Sequence, residues 1–252
     1  MRREYAAAIF VLVMVAGLVS GCKDKDGMPL TDLEIFITRT SEFEGQALED
    51  TLRRISAGEA PYNSYANFIL GNRFYGVAND SARYGGWSNP GAQALLDSAE
   101  FYFNLAVAQD STFIEPMVNL GSIWDDRAET MGDRQQYDER IAQADKFYTM
   151  ALEIDPTDEK ARCNLGSLYL RQRRTAEALA EFNKALEYNP ESSLAHYNLA
   201  IMFAEAKIYR EALAEWELAS KFDPDGDIGD RSRENIKIVN DLMNAPMPPI
   251  GQ

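Results

Sequence analysis

The feature that most constrains this chain is an internal period of 34 residues. Displaced by that period, Asn164-Leu165 falls on Asn198-Leu199, Gly166 on Ala200 and Tyr169 on Phe203. Glu177-Ala178-Leu179-Ala180-Glu181 falls on Glu211-Ala212-Leu213-Ala214-Glu215, Phe182 on Trp216, Ala185 on Ala219 and Pro190 on Pro224. A gapless match over this many positions marks a repeated structural unit. Such a unit stacks on its neighbours because it cannot bury its apolar face alone. The residue types describe the unit. Gly166/Ala200 and Ala178/Ala212 are small enough for two helices to approach closely, and Leu165, Tyr169 and Phe182 fill the space around them. Asn189-Pro190 and Asp223-Pro224 end one helix and open the next.

The recurring residues resemble those of the tetratricopeptide repeat. That resemblance implies two antiparallel helices per repeat and an all-α solenoid of helical hairpins. It also implies a concave groove, lined by the first helix of each hairpin, that takes a peptide or a partner protein.

The pattern continues upstream with insertions. Ala144, Tyr148, Ala151 and Pro156 stand 34 residues before Ala178, Phe182, Ala185 and Pro190, whereas Asn119-Leu120-Gly121-Ser122 stands 45 residues before Asn164-Leu165-Gly166-Ser167. This hairpin therefore carries 11 extra residues between Trp124 and Ala144. Close to three helical turns would keep the buried face in phase, and a polar loop around Asp133 to Asp138 is the other possibility. One step earlier, Leu70-Gly71 with Phe74 matches Leu120-Gly121 with Trp124, and Ala99, Phe103 and Ala106 match Ala144, Tyr148 and Ala151. Here 16 residues are inserted, among them Tyr84-Gly85-Gly86-Trp87-Ser88-Asn89-Pro90-Gly91, which reads as loop. The expected organisation is a helical cap over 31–60, two irregular repeats over 64–158 and two regular ones over 159–226. A capping helix over 229–244 and a Pro-rich tail over 245–252 follow.

The N-terminus reads as an address. Arg2 and Arg3 precede an apolar run from Ala6 to Val19, the pattern of a secretory signal. The run falls short of the ~20 apolar residues of a spanning helix. It ends in Leu18-Val19-Ser20-Gly21-Cys22, which resembles the bacterial lipobox. That resemblance implies a signal peptide over 1–21, cleavage before Cys22 and lipidation of its thiol. Residues 22–30 would be a tether. Several acyl chains make a stable membrane anchor where one does not. Lys23, in place of Asp, points by the same resemblance to the outer membrane, facing the periplasm.

Composition narrows the function. A net charge of −15 argues against nucleic acid, whose phosphates need a positive surface. His196 is the only histidine. By the resemblance to the tetratricopeptide repeat, it lies where a bulky packing side chain is expected. No Cys-x-x-Cys or Cys/His cluster suggests zinc. Asp223, Asp225, Asp227 and Glu234 have calcium-loop spacing, but Ile228 stands where the loop needs glycine. The chain reads as a non-enzyme without cofactor or metal.

The resemblance implies that Asn119, Asn164 and Asn198, each just before the Leu-Gly or Leu-Ala of a first helix, face the groove, with Lys160, Arg171 and Tyr197. An amide can both donate to and accept from a peptide backbone. The same amides could be spent on hydrogen bonds inside the fold, and the sequence leaves both readings open. A second reading is a carbohydrate-binding lipoprotein that stacks sugars on Tyr84 and Trp87.

Overall fold

The computed structural model describes residues 36–37, 40, 43–58, 62–129 and 133–244. The expected signal segment, Cys22, its tether and the tail 245–252 lie outside the described residues. Within them are ten helices and no strand: α1 (Gly45–Ser56), α2 (Tyr62–Gly85), α3 (Pro90–Gln109), α4 (Ile114–Ala128), α5 (Arg134–Ile154), α6 (Glu159–Arg171), α7 (Thr175–Tyr188), α8 (Ser193–Glu205), α9 (Tyr209–Phe222) and α10 (Asp227–Asn244). The fold is all-α, a series of antiparallel hairpins. It divides into two compact units, one drawn from residues up to 80 with 94–111, the other from 81–93 with 112 onward.

In the first unit α1 packs on the bodies of α2 and α3 through Leu52, Ala66, Leu70 and Tyr102. The fully buried Asn67 joins all three helices. Its amide donates to Gln109 Oε1 at 2.8 Å and its oxygen accepts from Ser56 Oγ at 2.6 Å. A buried amide stays in place only when both halves are bonded.

The second unit stacks α4–α5, α6–α7 and α8–α9, with α10 closing the end. One packing rule recurs along the chain: the small residue of each first helix lies under an aromatic ring of the second. A Cβ on Gly71 or Gly166 would lie 2.5 Å from a ring carbon of Phe103 or Phe182, and one on Gly121 would collide with Tyr148. In the last hairpin Ala200 and Trp216 share one core cluster. The regular hairpins also share their turns. Arg173 (φ 64°) and Lys207 (φ 61°) are left-handed. Arg174 N–H donates to Tyr169 O at 2.9 Å, and Ile208 N–H to Phe203 O at 2.8 Å. These are Schellman caps. Asp158 and Ser192 cap α6 and α8 by accepting from Ala161 N–H (2.7 Å) and Ala195 N–H (2.9 Å).

Both insertions extend helices. Relative to α6–α7, the second hairpin adds two residues to α4, seven to α5 and two to the connection. The Asp133–Asp138 stretch is not a loop: Asp133 caps α5 by accepting from Gln135 N–H at 3.2 Å, and helix follows directly. The first hairpin adds nine residues to α2 before its turn, six to α3 and one to the turn. The expected loop Tyr84–Gly91 shrinks to residues 86–89. Gly86 takes φ 65°, Asn89 Oδ1 accepts from Gly91 N–H at 2.8 Å, and Pro90 occupies the first helical position, where its missing N–H costs nothing.

Candidate functional site

In the second unit the first helices α4, α6 and α8 form one wall, and the contacts between neighbours show which side chains line it. Asn164 Nδ2 donates to Ser122 Oγ at 3.3 Å, and Ser122 Oγ lies 3.2 Å from Tyr148 Oη. Asn198 bonds the buried Cys163 thiol, whose pKa burial pushes up. Two of the asparagines thus reach back to the preceding first helix, and all three, Asn119 included, are half-buried. The amides lace adjacent hairpins together. Ser167 and Ile201 are half-buried on the same helices, and Lys160 is exposed at the start of α6.

Arg171, at the end of α6, reaches across to α4. It pairs with Asp125 and, through Nη1, with Glu129 Oε1 at 3.0 Å. Desolvation lowers its pKa. The other oxygen of Asp125 is buried without a hydrogen bond. Arg171, expected at the groove, therefore also bridges two hairpins.

Tyr197 is the one groove candidate that the structure removes from the wall. Its side chain is buried in the cluster of Trp216 and Val239, its hydroxyl accepts from Asn235 Nδ2 at 3.4 Å, and Arg231 lies 5.0 Å over its ring. Residues 231, 235 and 239 belong to α10, which folds over the end of α8.

Two features went unseen in the sequence. The first is a cavity of about 620 Å3 lined by Trp124, Gln136, Glu139, Arg140 and Gln143. It lies between the lengthened ends of α4 and α5. Arg127 and Arg140 hold their guanidiniums 5.1 and 5.6 Å from the Trp124 ring. The second is a buried staple that repeats with the 34-residue period. Arg162 Nη1 donates to Glu181 Oε2 at 2.7 Å, Nε and Nη2 donate to Pro156 O (Nε at 2.8 Å), and the guanidinium lies 5.3 Å over Tyr188. One period later His196 Nδ1 is 2.6 Å from Glu215 Oε2, Nε2 is 3.2 Å from Pro190 O, and the ring stacks on Phe222 at 5.5 Å. Basic residues at 162 and 196, carboxylates at 181 and 215 and prolines at 156 and 190 were the available signal.

The other motifs resolve locally. Asp223 Oδ2 accepts from Gly229 N–H at 3.1 Å and so caps α10, which begins at Asp227 within the stretch of calcium-loop spacing. Among the described residues no cluster of His, Cys, Asp or Glu could hold a metal. Tyr84 is 95% exposed near the end of α2, and Trp87 is half-buried in the turn that follows.

Residues 163–227 match the sequence profile of the tetratricopeptide repeat. No curated protein matches the chain in sequence. Among solved structures the chain is similar to a thermophilic TPR protein of Thermus thermophilus, at 17% identity and TM-score 0.59, over 81% of this chain and 97% of that one. It is also similar to a tetratricopeptide repeat protein of Parabacteroides merdae, at 20% identity and TM-score 0.52, over 82% and 73%. A third likeness is to MamA, at 16% identity and TM-score 0.50, over 75% and 95%. Fold and profile together describe an all-α solenoid of tetratricopeptide-like hairpins, whose residues 163–227 carry the repeat in sequence as well as in structure.

Proposed function

We propose that this protein is a non-catalytic, lipid-anchored scaffold that holds a peptide or partner protein against the wall formed by α4, α6 and α8. The observation that carries this reading is the wall itself. Three parallel first helices present half-buried amides and hydroxyls in register, with apolar Ile201 beside them. Such a surface can pair with an extended backbone and accept side chains between its rows. The lipobox-like sequence supports anchoring through Cys22, and Lys23 supports an outer-membrane position facing the periplasm, where the scaffold would serve envelope assembly or secretion. The test is recovery of partners by the soluble chain lacking residues 1–22, compared with its Asn164→Ala/Asn198→Ala variant. Loss of the same partner from the variant, with its helical content intact, supports the wall. Retention of every partner refutes it. Metabolic labelling with palmitate, lost in Cys22→Ala, tests the anchor separately.

A second reading rests on the cavity beside Trp124. Its volume lies in the range of small-ligand sites. An indole, two carboxamides and a balanced Glu139/Arg140 pair suit a neutral, polyhydroxylated ligand such as a saccharide. Quenching of tryptophan fluorescence by sugars, abolished in Gln136→Ala/Gln143→Ala, would favour it; no quenching by any sugar tested would end it.

A further inference from the structure

The two buried staples share their geometry but not their chemistry. In the third hairpin the cation is a guanidinium, which keeps its charge and carries enough N–H groups to serve Glu181 and the Pro156 carbonyl together. In the fourth the cation is an imidazole, and both its nitrogens face groups that only accept: the Glu215 carboxylate at 2.6 Å and the Pro190 carbonyl at 3.2 Å. A neutral imidazole has a single N–H. In either tautomer one nitrogen lone pair would face an oxygen lone pair inside a site where the histidine side chain is only 8% exposed. With Glu215 ionised, only the imidazolium satisfies both contacts.

We propose that the last hairpin is closed by protonated His196 and that this end of the array responds to pH, whereas the preceding hairpin, closed by Arg162, does not. The groups around the ring favour the cation. Glu215 from α9 contacts it directly. Glu159 from α6 binds the adjoining turn through Ser192 Oγ and Asn189 Nδ2 at 2.7 and 2.8 Å. On the other side, Lys221 is 5.1 Å from the Phe222 ring that the imidazole stacks on. From α10, Arg231 lies over the neighbouring Tyr197.

Deprotonation forfeits one of the two bonds, so the closed state holds its proton. Stability from the staple is therefore present while the ring is protonated and lost when it is not. Because α8 also carries Asn198 and Ile201, the same proton would tune the end of the partner-binding wall; that consequence alone rests on the function proposed above.

A single histidine makes the test direct. The long-range proton–nitrogen NMR spectrum of the folded wild-type chain should show both ring nitrogens protonated at a pH just below neutrality. One bare, pyridine-like nitrogen there overturns the proposal, whatever the partner-binding results are. Amide hydrogen exchange, corrected for intrinsic base catalysis, gives the second readout. Raising the pH should lower protection in residues 193–222 of the wild type, not in 175–188. His196→Arg should abolish that loss, and Arg162→His should transfer it to 175–188. If His196→Arg leaves the pH response unchanged, the staple is not its cause.

Discussion

At the scale of single residues the fold depends on close approach. Each of three first helices places a glycine under a ring, and Tyr148 is further fixed by its contact with Ser122 Oγ at 3.2 Å. Gly121→Ala should therefore overpack a ring that cannot swing away, costing about 1–3 kcal/mol, measured as a lower denaturant midpoint at unchanged slope. The left-handed turn residues point the other way. A side chain at φ 61° costs about 1–2 kcal/mol relative to glycine. Lys207→Gly should recover part of that, since glycine is also freer in the unfolded chain, and calorimetry should show a higher melting temperature. The small-residue-under-ring rule was legible in the sequence because both partners recur at the repeat period. The left-handed turns were not, because Arg173 and Lys207 are residue types that sequence reasoning does not assign to positive φ.

At the scale of elements the helix lengths were only partly legible. Residues 84–91 carry Gly, Pro and polar residues and read as loop; for the polar stretch 133–138 longer helices and a loop both stood open, and the helix is what forms. A helix that projects beyond its neighbours is solvated on most sides and loses the apolar period by which helices are recognised. Gly86, Asn89 and Pro90 were real punctuation, but compressed into a short turn. Tyr197 was misplaced for a different reason. What covers it is α10, and packing between helices separated in sequence leaves no local signature. Contacts between hairpins are also tertiary facts. Arg171 ties α6 to α4 through Asp125 and Glu129. Its side chain is 37% exposed, so solvent screening keeps the pair weak, and Arg171→Met should cost about 1 kcal/mol. The loss should be absent from an Asp125→Ala/Glu129→Ala background, which a double-mutant cycle by urea unfolding would read.

At the scale of the whole molecule the array needs its end. Ile236 and Val239 of α10 pack on the cluster of Tyr197 and Trp216, and repeat arrays require such a terminal element. A chain ending at residue 226 should expose that cluster, raising dye binding to apolar surface and lowering the melting temperature. The repeat period made the architecture and the wall-forming helices readable from the sequence, but left open how much of each asparagine the fold consumes. The central claim is that the wall of α4, α6 and α8 holds a protein partner. Its most direct test places a photo-crosslinking amino acid in living cells at Lys160, Ser167 or Ile201 on the wall, and at Lys184 or Lys221 on the exposed faces of second helices. The account predicts one common protein captured from all three wall positions and from neither outer one. Capture from the outer positions alone, or equally from both sets, would contradict it.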